Sequence, residues 1–169
     1  REDPIPPSGP LCEGLGAVID AQIDQVNAVI LSDYGKGSIT QQVLKYITKA
    51  NEAGRLSVKN RPLVLDPHPQ NYDLYKGIHV VKPNRKEAEI ASGVVINNKD
   101  SAIKAAEIIR KRWQAELVLI TLGEDGLLIS SKNEDPMLLE TQALEVFDVS
   151  GAGDTVTAVF TAAIATGSS

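Results

Sequence analysis

Cysteine and histidine are scarce in this sequence, and their scarcity excludes several kinds of site. The 169 residues include one cysteine, Cys12, and two histidines, His68 and His79. A single cysteine forms no internal disulfide, and one cysteine with two histidines is a poor basis for a structural zinc site. No histidine stands near Cys12 in the sequence, so we interpret Cys12 as a buried helix residue and not as a nucleophile.

Long apolar runs and large clusters of positive charge are also missing. No apolar run approaches the roughly 18 residues that a membrane helix needs, and the opening residues lack the basic-then-apolar order of a secretion signal. We therefore expect a cytoplasmic protein that does not enter a membrane. The net charge of −5 and the shortness of the basic runs "KPNRK" and "RKR" argue against nucleic acid as the main partner.

The sequence does contain a regular alternation of short apolar runs with amphipathic ones, and its 43% apolar content is enough for the core of one domain. The runs predicted to form strands are 27–32, 62–66, 78–82, 116–121, 126–131 and 136–140. The runs predicted to form helices are 10–26, 40–54, 85–93, 100–113 and 151–167. This alternation predicts an α/β fold of three layers, with a mostly parallel sheet between two layers of helices.

Two of the predicted helices carry more specific expectations. In helix 10–26 the apolar residues that share one face are Leu11, Leu15, Val18, Ile19, Ile23 and Val26. Gly14 and Gly16 weaken that helix. Helix 100–113 is expected to begin with Asp100 or Ser101 as its cap.

Polar and turn-forming residues follow four of the predicted strands directly. These strand tips are "SDYGKG" (32–37), "DPHP" (66–69), "KPNRKE" (82–87) and "TLGEDG" (121–126). Ligands of open α/β sheets bind beyond the carboxyl ends of the strands, and a parallel sheet brings all four tips to one edge. Each segment taken singly is also compatible with an ordinary turn, because Gly, Pro, Asp and Asn are turn residues.

A glycine loop stands directly before the last predicted helix, in "GAGDTV" (151–156). Gly151 and Gly153 let backbone N–H groups turn toward an anion, and the positive end of the helix faces the same point. Asp154 lies on the first helical turn, either as a helix cap or as a general base that accepts a proton from a hydroxyl group. Neither a Walker loop nor a "GxGxxG" motif occurs anywhere in the sequence.

The run "DVSGAGDTVTAVF" (148–160) resembles the C-terminal motif of the ribokinase-like (PfkB) carbohydrate kinases. "KPNRKEAE" is similar to the N-x-x-E motif of that family, here Asn84 and Glu87, and "ITLGEDGLLI" is similar to its nucleotide-side segment. Within the family, "LSDYGKG", the following "D-P", "Y-K-G" and "K-P-N" resemble the heptose 7-phosphate kinases, which form the kinase domain of the bifunctional ADP-heptose biosynthesis protein. His68 departs from that subfamily, which more often has lysine after "D-P".

The resemblance implies an ATP-dependent sugar kinase that uses Mg²⁺ and phosphorylates the anomeric hydroxyl of heptose 7-phosphate. Asp154 would accept the proton of that hydroxyl, and the N–H groups of Gly151, Ala152 and Gly153 would stabilise the transferred phosphoryl group. Asn84 and Glu87 would help to place Mg²⁺, mainly through water. The residues implied on the nucleotide and phosphate side are Thr121, Gly123, Gly126, Lys82, Asn84, Lys36 and Asp33.

Simpler interpretations stay open for several of these residues. Asn84 is also a good helix cap, the helix dipole favours Glu87 at a helix start, Asp33 can close a turn, and Lys36 can be a solvated surface residue. The alternative functions are another kinase of the family, acting on ribose, fructose or a nucleoside, and a non-catalytic nucleotide-binding module. Asp154 argues against the module, because a pure phosphate binder gains nothing from a neighbouring carboxylate.

Members of this family are usually much longer, and their N-terminal part contains a glycine-rich motif and a small β lid. Neither feature occurs in this sequence, so we expect residues 1–169 to be the C-terminal portion of a single ribokinase-like kinase domain. The partners that the resemblance implies are a sugar phosphate and ATP. The sequence leaves the oligomeric state open, a homodimer included.

Overall fold

Six strands and five helices make up the part of the chain that this computed structural model describes, residues 9–141 and 151–167. The strands are β1 Val29–Ser32, β2 Leu63–Asp66, β3 Val80–Val81, β4 Leu117–Thr121, β5 Leu127–Ser131 and β6 Met137–Leu139. The helices are α1 Gly9–Gln22, α2 Gln41–Glu52, α3 Arg85–Ser92, α4 Lys99–Trp113 and α5 Ala152–Ala165. Among these described helices, none has the length and apolar character needed to span a membrane.

The strands form one sheet in the order in which they occur along the chain. Strands β1 to β4 are parallel neighbours, whereas β5 pairs antiparallel with β4 and β6 pairs antiparallel with β5. The direction reverses because a short 3₁₀ turn, Gly123–Asp125, returns the chain directly from β4 into β5. The predicted, mostly parallel sheet is therefore confirmed, with an antiparallel hairpin and edge strand at one side.

The two faces of the sheet pack against different helices, as the alternation of side chains along a strand requires. In β2, Leu63 and Leu65 belong to a large core that includes buried residues of α2, α3 and α4. Val64, between them, belongs to a smaller core that contacts Phe160 and Ile164 of α5 on the opposite face. Helices thus cover both faces, and the predicted three-layer arrangement is confirmed.

The predicted apolar face of the first helix is buried only in part: Ile23 is buried and Ile19 packs against the core, whereas the other four residues are exposed, which corrects the orientation that hydrophobicity indicates. Leu11 is 63% and Val18 58% exposed, whereas Cys12 and Gly16 are buried. A Cβ atom at Gly16 would lie 2.3 Å from the ring of Tyr46 in α2, so α1 approaches α2 through its smallest residues. Cys12 is a buried helix residue, as expected, and α1 ends at Gln22, short of the predicted boundary.

The cap of α4 also differs from the prediction. Asn98, and neither Asp100 nor Ser101, is the N-cap, and its side chain accepts a hydrogen bond from the Ser101 N–H at 2.9 Å. Ser101 instead completes a capping box, because its hydroxyl oxygen accepts the Asn98 N–H at 3.0 Å. The helix therefore begins one residue earlier than the pattern indicates, since asparagine caps as well as aspartate or serine do.

Candidate active site

The carboxyl ends of the four parallel strands lie side by side at one edge of the sheet. Pairing continues past the strand ends: the Asp33 N–H donates to the carbonyl of Asp66 at 3.0 Å, and Asn84 forms an isolated parallel bridge with Thr121. The four polar tips therefore belong to one edge of the molecule. They can act on a single ligand, which separate turns could not do.

The glycine loop leads into α5, and the residue at the N-cap position is a glycine, which has no side chain to cap the helix. Gly151 is the N-cap with φ of +77°, a left-handed conformation that strains any residue with a Cβ atom. The first N–H groups of a helix have no partner inside the helix, and here those of Ala152, Gly153 and Asp154 occupy that position. The end of α5 is thus suited to an anion. Asp148, which opens the sequence motif, lies outside the described residues.

The carboxylate of Asp154 is exposed and meets the tip of β1. The hydroxyl of Tyr34 donates to it in a forked hydrogen bond, at 3.0 Å to Oδ2 and 3.2 Å to Oδ1. Because Gly151 is the cap of α5, the alternative interpretation of Asp154 as a helix cap does not describe its side chain. The acid instead faces the space between α5 and the β1 tip.

Sequence reasoning singled out the "SDYGKG" segment but missed Tyr34 within it. The alternation of side chains in β1 was the signal that could have found this residue. Leu31 faces the large core below α2 to α4, and Asp33, with the same parity, is buried on that side. Tyr34 has the opposite parity and so belongs to the α5 side, where Asp154 stands.

Lys82 lies directly beneath the glycine loop but is not free to reach a ligand. It is 3% exposed and forms an ion pair with Asp66, with 3.0 Å between Nζ and Oδ2. The same Asp66 oxygen accepts a hydrogen bond from the Thr157 hydroxyl of α5 at 3.3 Å. A Cβ atom at Gly153 would lie 3.4 Å from the Lys82 ammonium nitrogen. Sequence analysis placed Asp66 in a strand tip but did not predict its contact with Thr157, which joins residues 91 positions apart.

Asp33 and Lys36, both expected on the phosphate side, have very different environments. Asp33 is 7% exposed, and its carboxylate accepts hydrogen bonds from Tyr75 at 2.6 Å, Asn71 at 2.7 Å and the Gly35 N–H at 2.8 Å. Those three donors favour the alternative in which Asp33 holds the turn after β1. Lys36 is exposed and has no ion pair within the described part of the chain.

Asn84 and Glu87 form a capping box at the start of α3. The Asn84 side chain accepts the Glu87 N–H at 2.9 Å, and Glu87 Oε2 accepts the Asn84 N–H at 2.8 Å. Burial raises the pKa of Glu87, and the charge of Asp66 adds to that effect, while the Asn84 N–H and Lys82 oppose it. Glu87 therefore lies within electrostatic reach of the Asp66–Lys82 pair. Among residues 9–141 and 151–167, no group of three or more His, Cys, Asp or Glu side chains could by itself hold a metal ion.

The turn after β4 contains the three residues expected on the nucleotide side. Thr121 ends the strand beside Asn84, and Gly123 has φ of +65°. Gly126 has φ of +94°, and a Cβ atom there would lie 2.0 Å from the Leu139 carbonyl oxygen of β6. Glycine at position 126 is therefore required by packing against β6, whereas the region around Gly123 is open.

His68, the residue that departs from the heptose kinase pattern, packs against the β1 tip. A Cβ atom at Gly35 would lie 2.4 Å from its ring, so Gly35 leaves the space that the imidazole fills. Its Nδ1 atom accepts the Gln70 N–H at 3.4 Å at the start of the 3₁₀ turn Pro69–Asn71. The side chain thus joins the tips of β1 and β2.

Comparison with known sequences identifies relatives along most of the chain. The sequence profile of the pfkB family carbohydrate kinases matches residues 17–169. The bifunctional protein HldE of Desulfatibacillum aliphaticivorans is 42% identical over 148 residues, which are 88% of this chain and 29% of that protein. The bifunctional protein HldE of Helicobacter hepaticus is 35% identical over 167 residues, 99% of this chain and 33% of that protein. The chain thus spans about a third of the length of these curated relatives.

Comparison with solved structures gives the same fold. Arabidopsis thaliana ribokinase, complexed with ribose and ATP, matches 97% of this chain and 48% of its own, with a TM-score of 0.68 and 25% identity. Phosphofructokinase-2 of Escherichia coli, in complex with fructose-6-phosphate, matches 91% of this chain and 50% of its own, with a TM-score of 0.68 and 20% identity. The fold is ribokinase-like, and the chain belongs to the pfkB family of carbohydrate kinases.

Proposed function

We propose that this chain carries the phosphoryl-transfer machinery of an ATP-dependent sugar kinase. The observation that carries this proposal is the position of Asp154. Its exposed carboxylate stands on the first turn of α5, directly after a glycine loop, and the residue at the N-cap position, Gly151, has no side chain to cap the helix. An anion bound at this helix end would lie next to a proton acceptor, as transfer of a phosphoryl group to a hydroxyl requires.

The proposed reaction assigns the proton and the phosphoryl group to different parts of the loop. The sugar hydroxyl gives its proton to the Asp154 carboxylate while its oxygen forms a bond to the γ-phosphorus of ATP. The bond between that phosphorus and the bridging oxygen breaks, and ADP leaves with the electron pair. The N–H groups of Gly151, Ala152 and Gly153, at the positive end of α5, stabilise the charge on the equatorial oxygens.

Tyr34 and the acceptor hydroxyl would share the carboxylate of Asp154. A carboxylate has about four lone-pair sites, so the forked bond from Tyr34 leaves room for a second donor. Tyr34 would hold the carboxylate in one orientation, and the acceptor would approach from the open side. This arrangement places the sugar next to the β1 tip.

The donor set at the start of α3 fits Mg²⁺ in an outer-sphere role. Each of Asn84 and Glu87 has an oxygen that already accepts a backbone N–H, and Mg²⁺ keeps much of its water shell in proteins. Asn84 and Glu87 would hold water molecules of the hydrated ion, whose chemistry is to neutralise charge on the β- and γ-phosphates.

The remaining residues of the expected site divide into those that would contact ATP and those that would support the site. Thr121 and Gly123 stay proposed on the nucleotide side, and the exposed Lys36 stays proposed as a cation for the phosphates. Lys82 and Asp33 are buried and already paired, so we assign them to support. Gly126 supports the turn through its contact with β6.

We propose D-glycero-D-manno-heptose 7-phosphate as the acceptor and the 1,7-bisphosphate as the product. The support for this choice is the "SDYGKG" segment with "K-P-N", together with relatives named bifunctional protein HldE at 35% and 42% identity. The competing acceptors are ribose, fructose phosphates and nucleosides. Solved structures of the same fold include a ribokinase with ribose and a phosphofructokinase with fructose-6-phosphate.

The first test replaces Asp154 in the intact protein and measures ADP release with heptose 7-phosphate. Asp154→Asn keeps the size of the side chain but removes the proton acceptor, so kcat should fall about 10²- to 10⁴-fold with little change in ATP binding. The matched control is Asp100→Asn, which changes an exposed aspartate on the first turn of another helix, α4. Unchanged turnover of Asp154→Asn would contradict the proposed mechanism.

The second test identifies the acceptor with a panel of heptose 7-phosphate, ribose, fructose 6-phosphate and adenosine. Highest kcat/KM with the heptose phosphate supports the proposed substrate. If another sugar gives the highest kcat/KM and its turnover is lost in Asp154→Asn, the proposed kinase mechanism stands and only the proposed acceptor is wrong. Binding of ATP with Mg²⁺ by calorimetry, without turnover of any acceptor, would favour the non-catalytic module.

A further inference from the structure

A buried polar cluster joins three elements beneath the glycine loop. Asp66, the last residue of β2, accepts both the Lys82 ammonium at 3.0 Å and the Thr157 hydroxyl at 3.3 Å on one oxygen, Oδ2. Lys82 is 3% and Thr157 4% exposed, so the cluster is largely shielded from water. Polar groups that are buried without partners are costly, and this set provides partners for one another.

The cluster touches the loop itself at two points. Thr157 also donates to the carbonyl of Gly153 at 3.0 Å, so its single proton is shared between the loop and Asp66. The Lys82 nitrogen lies 3.4 Å from the position that a Cβ atom on Gly153 would take. Side-chain position in the cluster and backbone position in the loop are therefore directly coupled.

The N-terminal half of α5 depends on this cluster because its apolar contacts lie further along the helix. The residues of α5 that pack into the small core are Phe160 and Ile164, one and two turns beyond Thr157. Gly151, at the helix start, provides no side-chain cap. Without Thr157 and Asp66, the first turn of α5 keeps the hydrogen bond from Tyr34 to Asp154, but that bond is exposed to water, whereas the later turns keep their apolar contacts with the sheet.

We propose that Asp66 and Thr157 are positioning residues for phosphoryl transfer: together with Lys82 they fix the first turn of α5, and with it the glycine loop and Asp154, relative to the strand tips. The inference rests on the proposed kinase function. Neither residue touches the reacting atoms in this scheme. They act by holding the loop N–H groups and the proton acceptor in the geometry that transfer needs, where a displacement of about 1 Å lowers the rate by up to about 10²-fold.

The test compares two buried threonines of the same helix in the intact protein. Thr157→Val removes the hydroxyl with little change in shape, and Thr161→Val does the same one turn later. Thr161 is the matched control because it is also 4% exposed, but the bond that its hydroxyl makes within the described residues goes to the Thr157 carbonyl, at 2.6 Å, and not to another element. We expect kcat to fall about tenfold or more in Thr157→Val and to stay within about twofold in Thr161→Val. Thr157→Ser should restore kcat because it restores the hydroxyl.

A double-mutant cycle with Asp66→Asn separates positioning from a general loss of stability. If Thr157 acts through Asp66, Thr157→Val should lower kcat much less in the Asp66→Asn background than alone. Equal losses of kcat in Thr157→Val and Thr161→Val, following equal losses of melting temperature, would overturn the inference. If Thr157→Val does not fold, Thr157→Ser and Thr157→Ala are compared instead. A lower kcat in Thr157→Ala than in Thr157→Ser supports the positioning role, and equal kcat values overturn it.

Failure of this inference is distinguishable from failure of the proposed function. Full kcat in Thr157→Val, together with a large loss in Asp154→Asn, would reject the positioning role and leave the kinase mechanism in place. Full kcat in Asp154→Asn would reject the mechanism itself, whatever Thr157→Val does.

Discussion

Removing the hydroxyl of Tyr34 tests whether the β1 tip orients the proposed proton acceptor. Tyr34→Phe keeps the ring and deletes the hydroxyl that donates to Asp154, at 3.0 and 3.2 Å from its two carboxylate oxygens. The bond joins residues 120 positions apart, so it links the β1 tip to α5 and nothing in the local sequence replaces it. We expect the carboxylate to sample other rotamers in the variant.

The size of the effect follows from the exposure of the pair. A hydrogen bond to a charged group contributes about 1.5–3 kcal/mol when it is well shielded, but Tyr34 is 62% exposed. Water competes for both partners at such a site, which lowers the net contribution to about 1 kcal/mol or less. Since about 1.4 kcal/mol corresponds to a tenfold change in rate, we expect kcat to fall about three- to fivefold. The KM for ATP should not change, because Tyr34 contacts the carboxylate of Asp154 and not the glycine loop.

The assay is steady-state ADP release by the intact protein with heptose 7-phosphate, for Tyr34→Phe with and without Asp154→Asn. Tyr46→Phe is the control, because Tyr46 lies in α2 and packs against Gly16, away from the strand tips. If Tyr34 acts through Asp154, its substitution should have little further effect once Asp154 is replaced. Equal fold losses in both backgrounds, or no loss of kcat in either, would refute the reasoning.

Two further predictions concern stability. Gly126→Ala should lower the free energy of unfolding by at least about 3 kcal/mol, because its Cβ would lie 2.0 Å from the Leu139 carbonyl oxygen. The control is Gly54→Ala, also at positive φ but with open space around it, which should lower the free energy by only about 1–2 kcal/mol. Equal losses of the two variants in urea unfolding would contradict the predicted clash with Leu139. Burial lowers the pKa of His79, whose Nδ1 accepts the Leu63 N–H at 3.0 Å, so the unfolded chain binds this proton more readily. The free energy of unfolding should therefore fall as pH drops below about 6.5, and this group should contribute no more than about 1.4 kcal/mol per pH unit. If His79→Gln shows the same slope of unfolding free energy against pH as the wild type, this prediction is wrong.

The fold was predictable because its helices and strands follow from local periodicity. The errors concern the buried face of α1 and the cap of α4, which depend on contacts between specific side chains. In α1 the period correctly placed Leu11, Leu15 and Val18 on one face, but period alone does not say which face is buried. Close approach to Tyr46 required the small Gly16, so steric fit to α2 outweighed hydrophobicity. The cap at Asn98 was missed for a similar reason, because asparagine, serine and aspartate compete for that position.

The glycine loop was predictable from a few adjacent residues, whereas the contacts around it were not. A positive φ at Gly151 and the start of a helix at Ala152 are local properties of the chain. The partners of Asp154 and Thr157 come from β1 and β2, and only tertiary packing brings them to α5. Sequence patterns therefore located the residues that we propose to react, whereas the residues that contact them required the structure.

The four acidic residues discussed at this edge differ in how many donors each carboxylate already serves. Asp33 accepts three hydrogen bonds and Asp66 accepts an ammonium and a hydroxyl, and both lie largely out of water. Glu87 accepts a backbone N–H at the start of α3, whereas Asp154 is exposed and, from the described residues, accepts the forked bond from Tyr34 alone. A proton acceptor must have a lone pair that an incoming hydroxyl can reach, and a carboxylate engaged by several buried donors cannot offer one without breaking them. Two aspartates, Asp33 and Asp66, therefore hold the strand tips together, and the third, Asp154, is the one that we propose as the proton acceptor.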